Sequence, residues 1–426
     1  MNKLVFGYIF ILSSLIFFFT NDTVGQRLKD LQFHFQQSKE AYENKDYPSF
    51  LDHLKIADSL RPNHPTIVYN LAAAYSLNHM EKDAYITLKH LIHFNNTINF
   101  EEDKDFDLLK EGKFLEELIT LKKKLDAPVK KGTKVFQFGE VSTHPEGIAY
   151  DPKTECFYIS SIRQRKIFQF KNGELTDWVK EGLFAVSGIK IDHERRWLWA
   201  CSSAFPEMLD FDEEDDGKAM VLKYNLETGK LIKQYAADGK HIFGDLVIHQ
   251  NGDVYISDSR EPKIYKIDHR NDEISLYQDF SATLLNLQGL DLSDDGESLY
   301  IADYILGLYK ISLKNNKPEK LQWKGNATLK GIDGLYFYKN SLVVTQNGAE
   351  PMRVVRFFLN GAGNQIESIE NLDYAREELN EPTLGTIIDN TFFYIANSPW
   401  GAYDRNGNFD EIKASIPAVY KIILEN

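Results

Sequence analysis

Two patterns of hydrophobic and polar positions divide the chain. Between residues 27 and 128, apolar residues return every three to four positions, the spacing of a helix with one buried face. Ser38 to Pro65 reads as two short helices around a polar turn, and Thr66 to Phe94 reads the same way. Small residues (Ala41, Ala57, Ala72, Ala84) fall where paired helices approach, and larger ones such as Leu88 and Leu91 fill between them. A weaker third unit runs from Phe100 to Leu125, and Asp126 to Thr133 reads as a linker. From residue 134 to 426 the spacing changes. Short apolar runs, tight turns and alternating strands of aromatic and β-branched residues take over.

The second pattern repeats. EGIAYDPKTECFYISS begins at Glu146, SGIKIDHERRWLWACSS at Ser187 and GDLVIHQNGDVYISDS at Gly244. QGLDLSDDGESLYIADY begins at Gln288, DGLYFYKNSLVVTQN at Asp333 and the divergent TLGTIIDNTFFYIANS at Thr383. Each copy has a short apolar strand, a turn that favours positive φ, and a second strand ending in Ser, Asp or Asn. Third and fourth strands follow in most copies, such as Lys263–Asp268 and Leu231–Ala236. Starts 41 to 57 residues apart with about four strands per unit are the signature of propeller blades. The expected fold is an all-β six-bladed β-propeller with an N-terminal α-helical segment. Lys134–Val141 is placed to supply an outer strand of the last blade and so close the ring. The helical units resemble tetratricopeptide repeats, and two readings stand for them: a groove or platform for a protein partner, or a helical cap packed on the propeller.

The residue opening each copy then rings the axis: Glu146, Ser187, Gly244, Gln288, Asp333 and Thr383. Two carboxylates, an amide and two hydroxyls make an oxygen-rich set suited to a hard divalent cation such as calcium. These positions resemble the gluconolactonase and senescence-marker-protein (regucalcin) family, a six-bladed fold, over about Gly139 to Leu424. Pro145-Glu146-Gly147 matches the family's first-blade metal ligand, and Asp333-Gly334 matches its fifth-blade ligand and proposed base. The family's fourth-blade Asn is Gln288 here, which keeps the amide but adds a methylene. Its third-blade Asn-Asp pair reads Gly244-Asp245, so one side chain is lost. The resemblance implies a metal-dependent hydrolase of a lactone or related ester. Glu146, Gln288 and Asp333 are its expected metal ligands, Asp333 its catalytic base, and Ser187, His241, Asp245 and Trp400 the expected substrate contacts. His241 lies three residues before Gly244, and Trp400 lies in a long aromatic, Gly-rich loop of the last blade.

Composition narrows the picture. With 63 acids against 49 bases the formal charge is −14, which argues against nucleic acid. Lys3 followed by the 16-residue apolar run Leu4–Phe19 reads as a signal peptide over residues 1–25. It is shorter than the ~20 residues a transmembrane helix needs. The expectation is an exported protein, periplasmic or extracellular, with no other membrane segment. Cys156 and Cys201 are too few for a disulfide scaffold. Two functional readings stand: the hydrolase, and a non-catalytic propeller that binds a ligand or partner and uses the helical repeats for docking.

Overall fold

The structure is a computed structural model that describes residues 22–110 and 112–425. The leader expected over residues 1–25 lies, up to residue 21, outside the described residues. Among the described residues no helix is long and apolar enough to cross a membrane. The chain divides into two compact units. One is helical, ends at Ala127 and takes in two short segments, 325–328 and 349–351; the other holds the strands.

The helical unit contains α1 (Asp22–Glu43), α2 (Tyr47–Leu60), α3 (Pro65–Leu77), α4 (Glu81–Ile92), α5 (Asp107–Lys110) and α6 (Phe114–Leu125). Local chemistry sets the boundaries. The Asp46 carboxylate accepts the Ser49 amide at 3.2 Å and caps α2, and Pro48 and Pro65 stand in first turns, where a missing N–H is harmless. α1 packs on α2 and α3 on α4. Leu31, Leu54, Ala57 and Ile67 fill one core and Ala72, Ala84, Leu88 and Phe106 the next. The third unit is not a pair of equal helices. Its first member shrinks to a 3-10 turn (Lys104–Phe106) running into the four residues of α5. The Asp103 side chain accepts the Asp105 amide at 3.0 Å, and this tight turn replaces a longer helix.

The second unit is a six-bladed β-propeller of six antiparallel sheets. The inner strands are Pro145–Asp151, Ala185–Asp192, Phe243–Ile248, Leu287–Leu292, Ile332–Phe337 and Gly385–Ile388. Each packs beside the next, and the last packs against the first. Thr133–Gln137 pairs with Ala418–Ile423 as the outer strand of the sixth blade, so the ring is closed by both ends of the propeller segment. The stretch read as a linker carries a two-residue strand, Val129–Lys130, which adds a fifth strand to the fifth blade.

Second strands such as Cys156–Ser161 and Ser298–Asp303 are buried along their whole length. Neighbouring blades cover both their faces, so the alternation read in the sequence does not correspond to one exposed and one buried face. Outer strands such as Glu174–Val179 are exposed or half-buried along their whole length. Both cysteines are free and buried.

The inner strands share one irregularity. In five blades the register slips just after the ring residue, between Pro145 and Ile148, Val186 and Ile189, Phe243 and Leu246, Leu287 and Leu290, and Ile332 and Leu335. This bulge brings adjacent blades close together. A Cβ on Gly289 would lie 2.5 Å from the Asp333 carbonyl oxygen, and one on Gly188 would lie 2.7 Å from the Asp245 Cα. Glycine is the residue that permits that approach.

Candidate active site at the propeller axis

The ring is built from the starts of the inner strands, and its members use their polar atoms differently. Ser187 donates its hydroxyl to the Phe243 carbonyl at 2.7 Å. Thr383, just before the sixth inner strand, donates to the Glu146 carbonyl at 3.0 Å. Gln288 donates its amide to Asn286 at 2.9 Å, and its oxygen is 3.4 Å from the Ser259 hydroxyl. Gly244 contributes no side chain. These members are largely occupied in holding blades together.

The acids are not. One oxygen of Glu146, Oε2, accepts the Trp400 indole N–H at 2.8 Å, with the Ser398 hydroxyl at 3.4 Å. One oxygen of Asp333, Oδ2, accepts the Asn347 amide at 2.9 Å, and Asn347 in turn accepts the Tyr304 hydroxyl at 3.0 Å. Glu146 is 7% exposed and Asp333 is half-buried. Burial pushes the Glu146 carboxyl well above the ordinary range, and repulsion from Asp333 adds to it, against the pull of the Trp400 hydrogen bond. Burial also pushes Asp333 up to about 7, with the Asn347 hydrogen bond opposing and the charge of Asp245 adding.

A further polar group stands on the same strands. Asp245, at the position where four other blades carry glycine, is 1% exposed, and neither of its carboxylate oxygens accepts a well-formed hydrogen bond among the described residues. The Lys190 ammonium lies 3.6 Å from its Oδ1 and 4.7 Å over the Tyr336 ring. Asp291 accepts the Phe337 amide at 2.8 Å; burial raises it to about 6, with Lys190 pulling it down. Burial raises Asp245 as well, and Lys190 again opposes.

His241 is placed differently from a channel-lining group. It is buried, its Nδ1 is 2.8 Å from Asp258 and its Nε2 is 2.8 Å from the Asp238 carbonyl. Both nitrogens are engaged, and the ring stacks on Phe243. His241, Asp258 and Glu261 lie close enough to hold a metal ion. The Asp258 carboxylate, however, already accepts the amides of Ile242 and Arg260, and Lys263 pairs with Glu261.

Trp400 packs between Phe205 and His144, whose ring meets it edge-on at 4.6 Å between centroids. His144 is fully buried in a left-handed conformation (φ 40°), with Nδ1 2.7 Å from the Tyr403 hydroxyl. Its Nε2 has no hydrogen-bond partner among the described residues. Burial, with the charge of Arg163, lowers it to about 3, so the ring is neutral. The sequence reading missed His144, Asn347, Lys190 and Asp291. The available signal was positional. Ser259, Tyr304 and Asn347 each follow directly on a second strand and Ser398 follows three residues after one, and three of the four reach a ring residue with their side chains.

The donor set fits a divalent cation. Oε1 of Glu146 and Oδ1 of Asp333 accept no hydrogen bond among the described residues, and two carboxylates that repel each other at the axis would be neutralised by a doubly charged ion. The Gln288 amide oxygen is the third candidate ligand, and it carries only the weak 3.4 Å contact from Ser259.

The chain matches no protein-family model and no curated protein. Among solved structures it is similar to a gluconolactonase of Xanthomonas campestris, at 12% identity over 70% of this chain and 94% of that one, with a TM-score of 0.44. It is similar to the PQQ-bound aldose sugar dehydrogenase of Streptomyces coelicolor, at 15% identity over 70% and 100% of the two chains, with a TM-score of 0.48. Virginiamycin B lyase of Staphylococcus aureus gives 13% identity over 69% and 99%, with a TM-score of 0.45. At such identities and TM-scores the likeness carries no reading of function, and one fold serves unrelated chemistries.

Proposed function

We propose that this protein is an exported hydrolase of the gluconolactonase type that opens a lactone or related ester at the propeller axis. The observation that carries the reading is the pair of axial carboxylates, Glu146 buried and Asp333 half-buried, each with one oxygen held by an N–H and the other free of hydrogen bonds among the described residues. Glu146 and Asp333, with the Gln288 amide oxygen, would hold a divalent cation, calcium first among the candidates. A bound cation would polarise the carbonyl of the ester. Asp333 is also the base that takes a proton from the attacking water. Asp245, whose Oδ1 lies 3.6 Å from Lys190, keeps acceptor capacity for a substrate hydroxyl, consistent with a sugar-derived lactone. Export rests on the apolar leader in the sequence.

The test is turnover. The full chain, supplied with calcium, magnesium or manganese, is offered a panel of aldonolactones and simple aliphatic lactones. The expected outcome is ion-dependent hydrolysis that falls at least a hundredfold in Asp333→Asn. Hydrolysis retained in that variant would remove Asp333 as the base. A second reading is favoured by the occupied amide of Gln288 and the bare Gly244: a propeller that binds its ligand without turnover, with the helical repeats holding a protein partner. It predicts saturable lactone or sugar binding by calorimetry with no product formed.

A further inference from the structure

We infer that Trp400 and Asn347 are positioning residues that confine each axial acid to single-oxygen ligation of its cation. The inference rests on the reading of Glu146 and Asp333 as metal ligands and adds what decides how they bind. The two contacts match. The Trp400 indole N–H reaches Oε2 of Glu146 at 2.8 Å, and the Asn347 amide N–H reaches Oδ2 of Asp333 at 2.9 Å. Each donor is neutral, and each leaves the second oxygen of its carboxylate without a hydrogen bond. A carboxylate held this way offers one oxygen in a fixed direction, because turning to present both oxygens breaks a charge-assisted bond.

Neither donor is free to drift. Trp400 is held between Phe205 and His144, and His144 is tied to Tyr403 of the same loop by the 2.7 Å contact. Ser398, also in that loop, donates to the Pro145 carbonyl at 2.9 Å, next to Glu146 in the chain. Asn347 has its own carbonyl oxygen fixed by the Tyr304 hydroxyl, which leaves its N–H₂ directed at Asp333. The last-blade loop is therefore part of the acid site, and Trp400 serves it through its N–H. Such supporting donors set the orientation and affinity of metal ligands.

Single-oxygen ligation has a consequence for how each ion responds when a supporting donor is lost. Magnesium and manganese accept near-octahedral sets of single oxygens, whereas calcium takes more oxygens at longer distances and accepts bidentate carboxylates. Releasing an oxygen of Glu146 or Asp333 therefore harms the smaller ions and leaves calcium a compensating second bond.

The experiment measures affinities of the full chain for calcium, magnesium and manganese by calorimetry, in the native chain, Trp400→Phe, Asn347→Ala and the double variant. Trp400→Phe keeps the ring and removes only the N–H. Expected is a loss of about tenfold or more in magnesium and manganese affinity for each single variant, with calcium affinity changing by less than about threefold. Equal losses for all three ions would mean general loosening of the loop and would overturn the inference. A second measurement needs no ion. With ¹⁵N-labelled tryptophan, the indole resonance absent from Trp400→Phe is that of Trp400, and Glu146→Gln is expected to move that resonance and leave those of the other tryptophans in place. If the native chain binds none of the ions, the metal reading fails. If the indole resonance also ignores Glu146→Gln, the positioning contact fails on its own account.

Discussion

Glu146 and Asp333 share the axial ring with Ser187, Gln288 and Thr383, and all five are delivered near the start of an inner strand. Ser187 and Thr383 spend their hydroxyls on backbone carbonyls, of Phe243 and of Glu146 itself. Gln288 spends its amide on Asn286. Glu146 and Asp333 instead receive one N–H each from beyond the ring and keep one oxygen open. The hydroxyl side of the ring is blade-to-blade mortar, and the acid side is a site. The difference teaches that sitting at the axis is a property of the repeat, while chemistry at the axis depends on which polar atoms the neighbouring backbone leaves unused.

The comparison can be broken at its foundation. Gly289→Ala places a Cβ 2.5 Å from the Asp333 carbonyl oxygen and the Leu335 amide nitrogen. Both sides of the ring should suffer together, with about 3 kcal/mol or more lost in urea unfolding. An unchanged midpoint would mean that the blades do not approach as described. Lys190→Met acts on the counter-charge alone. It leaves the buried Asp245 carboxylate uncompensated and should cost about 3 kcal/mol near neutral pH, an effect that Asp245→Asn in the same chain should relieve.

The acid side is sharpened by pH. The folded Asp333 carboxyl titrates near 7, above the unfolded value of about 4. The folded state therefore holds its proton more tightly, so the stabilisation is full below about pH 4 and is lost as pH rises through about 7. In the presence of a chelator the thermal midpoint of the native chain should fall over that window, and Asp333→Asn should flatten the fall. Smaller effects are expected on the other side. Gln288→Ala should weaken ion binding about tenfold, or ~1.4 kcal/mol. Ser187→Ala should cost about 1 kcal/mol of stability and leave ion affinity unchanged. A Ser187→Ala variant that lost ion binding would erase the distinction between the two sides.

Much of this architecture was legible in the sequence. Six copies of one strand-turn-strand pattern carry the propeller, because a repeat that buries its faces only against copies of itself leaves its period in the chain. The ring phase was equally readable, since Glu146, Ser187, Gln288 and Asp333 each precede a glycine. Asp245 broke that rule by taking the glycine position itself, and Lys190, Asp291 and Tyr336 lie further along inner strands that otherwise read as apolar. Pattern reading assigns such positions to the core, and only the closed ring brings the four together. Asn347, and the contact of Trp400 with Glu146, were hidden for another reason. Their partners are 14 and 254 residues away, across a turn and across the closure of the ring. The shortened third helical unit was hidden too, because apolar spacing at Phe106, Leu109 and Leu118 survives although the helix before α6 is reduced to one turn and a 3-10 start.

The most direct test of the axial site is thermal unfolding of the full chain with and without calcium, beside Glu146→Gln and Asp333→Asn. An ion that binds only the folded state adds about 2.7 kcal/mol at a hundred times its Kd. The account predicts a calcium-dependent rise in the midpoint of the native chain that both variants lose. A midpoint that ignores calcium, magnesium and manganese alike, or a rise that survives both substitutions, would contradict it.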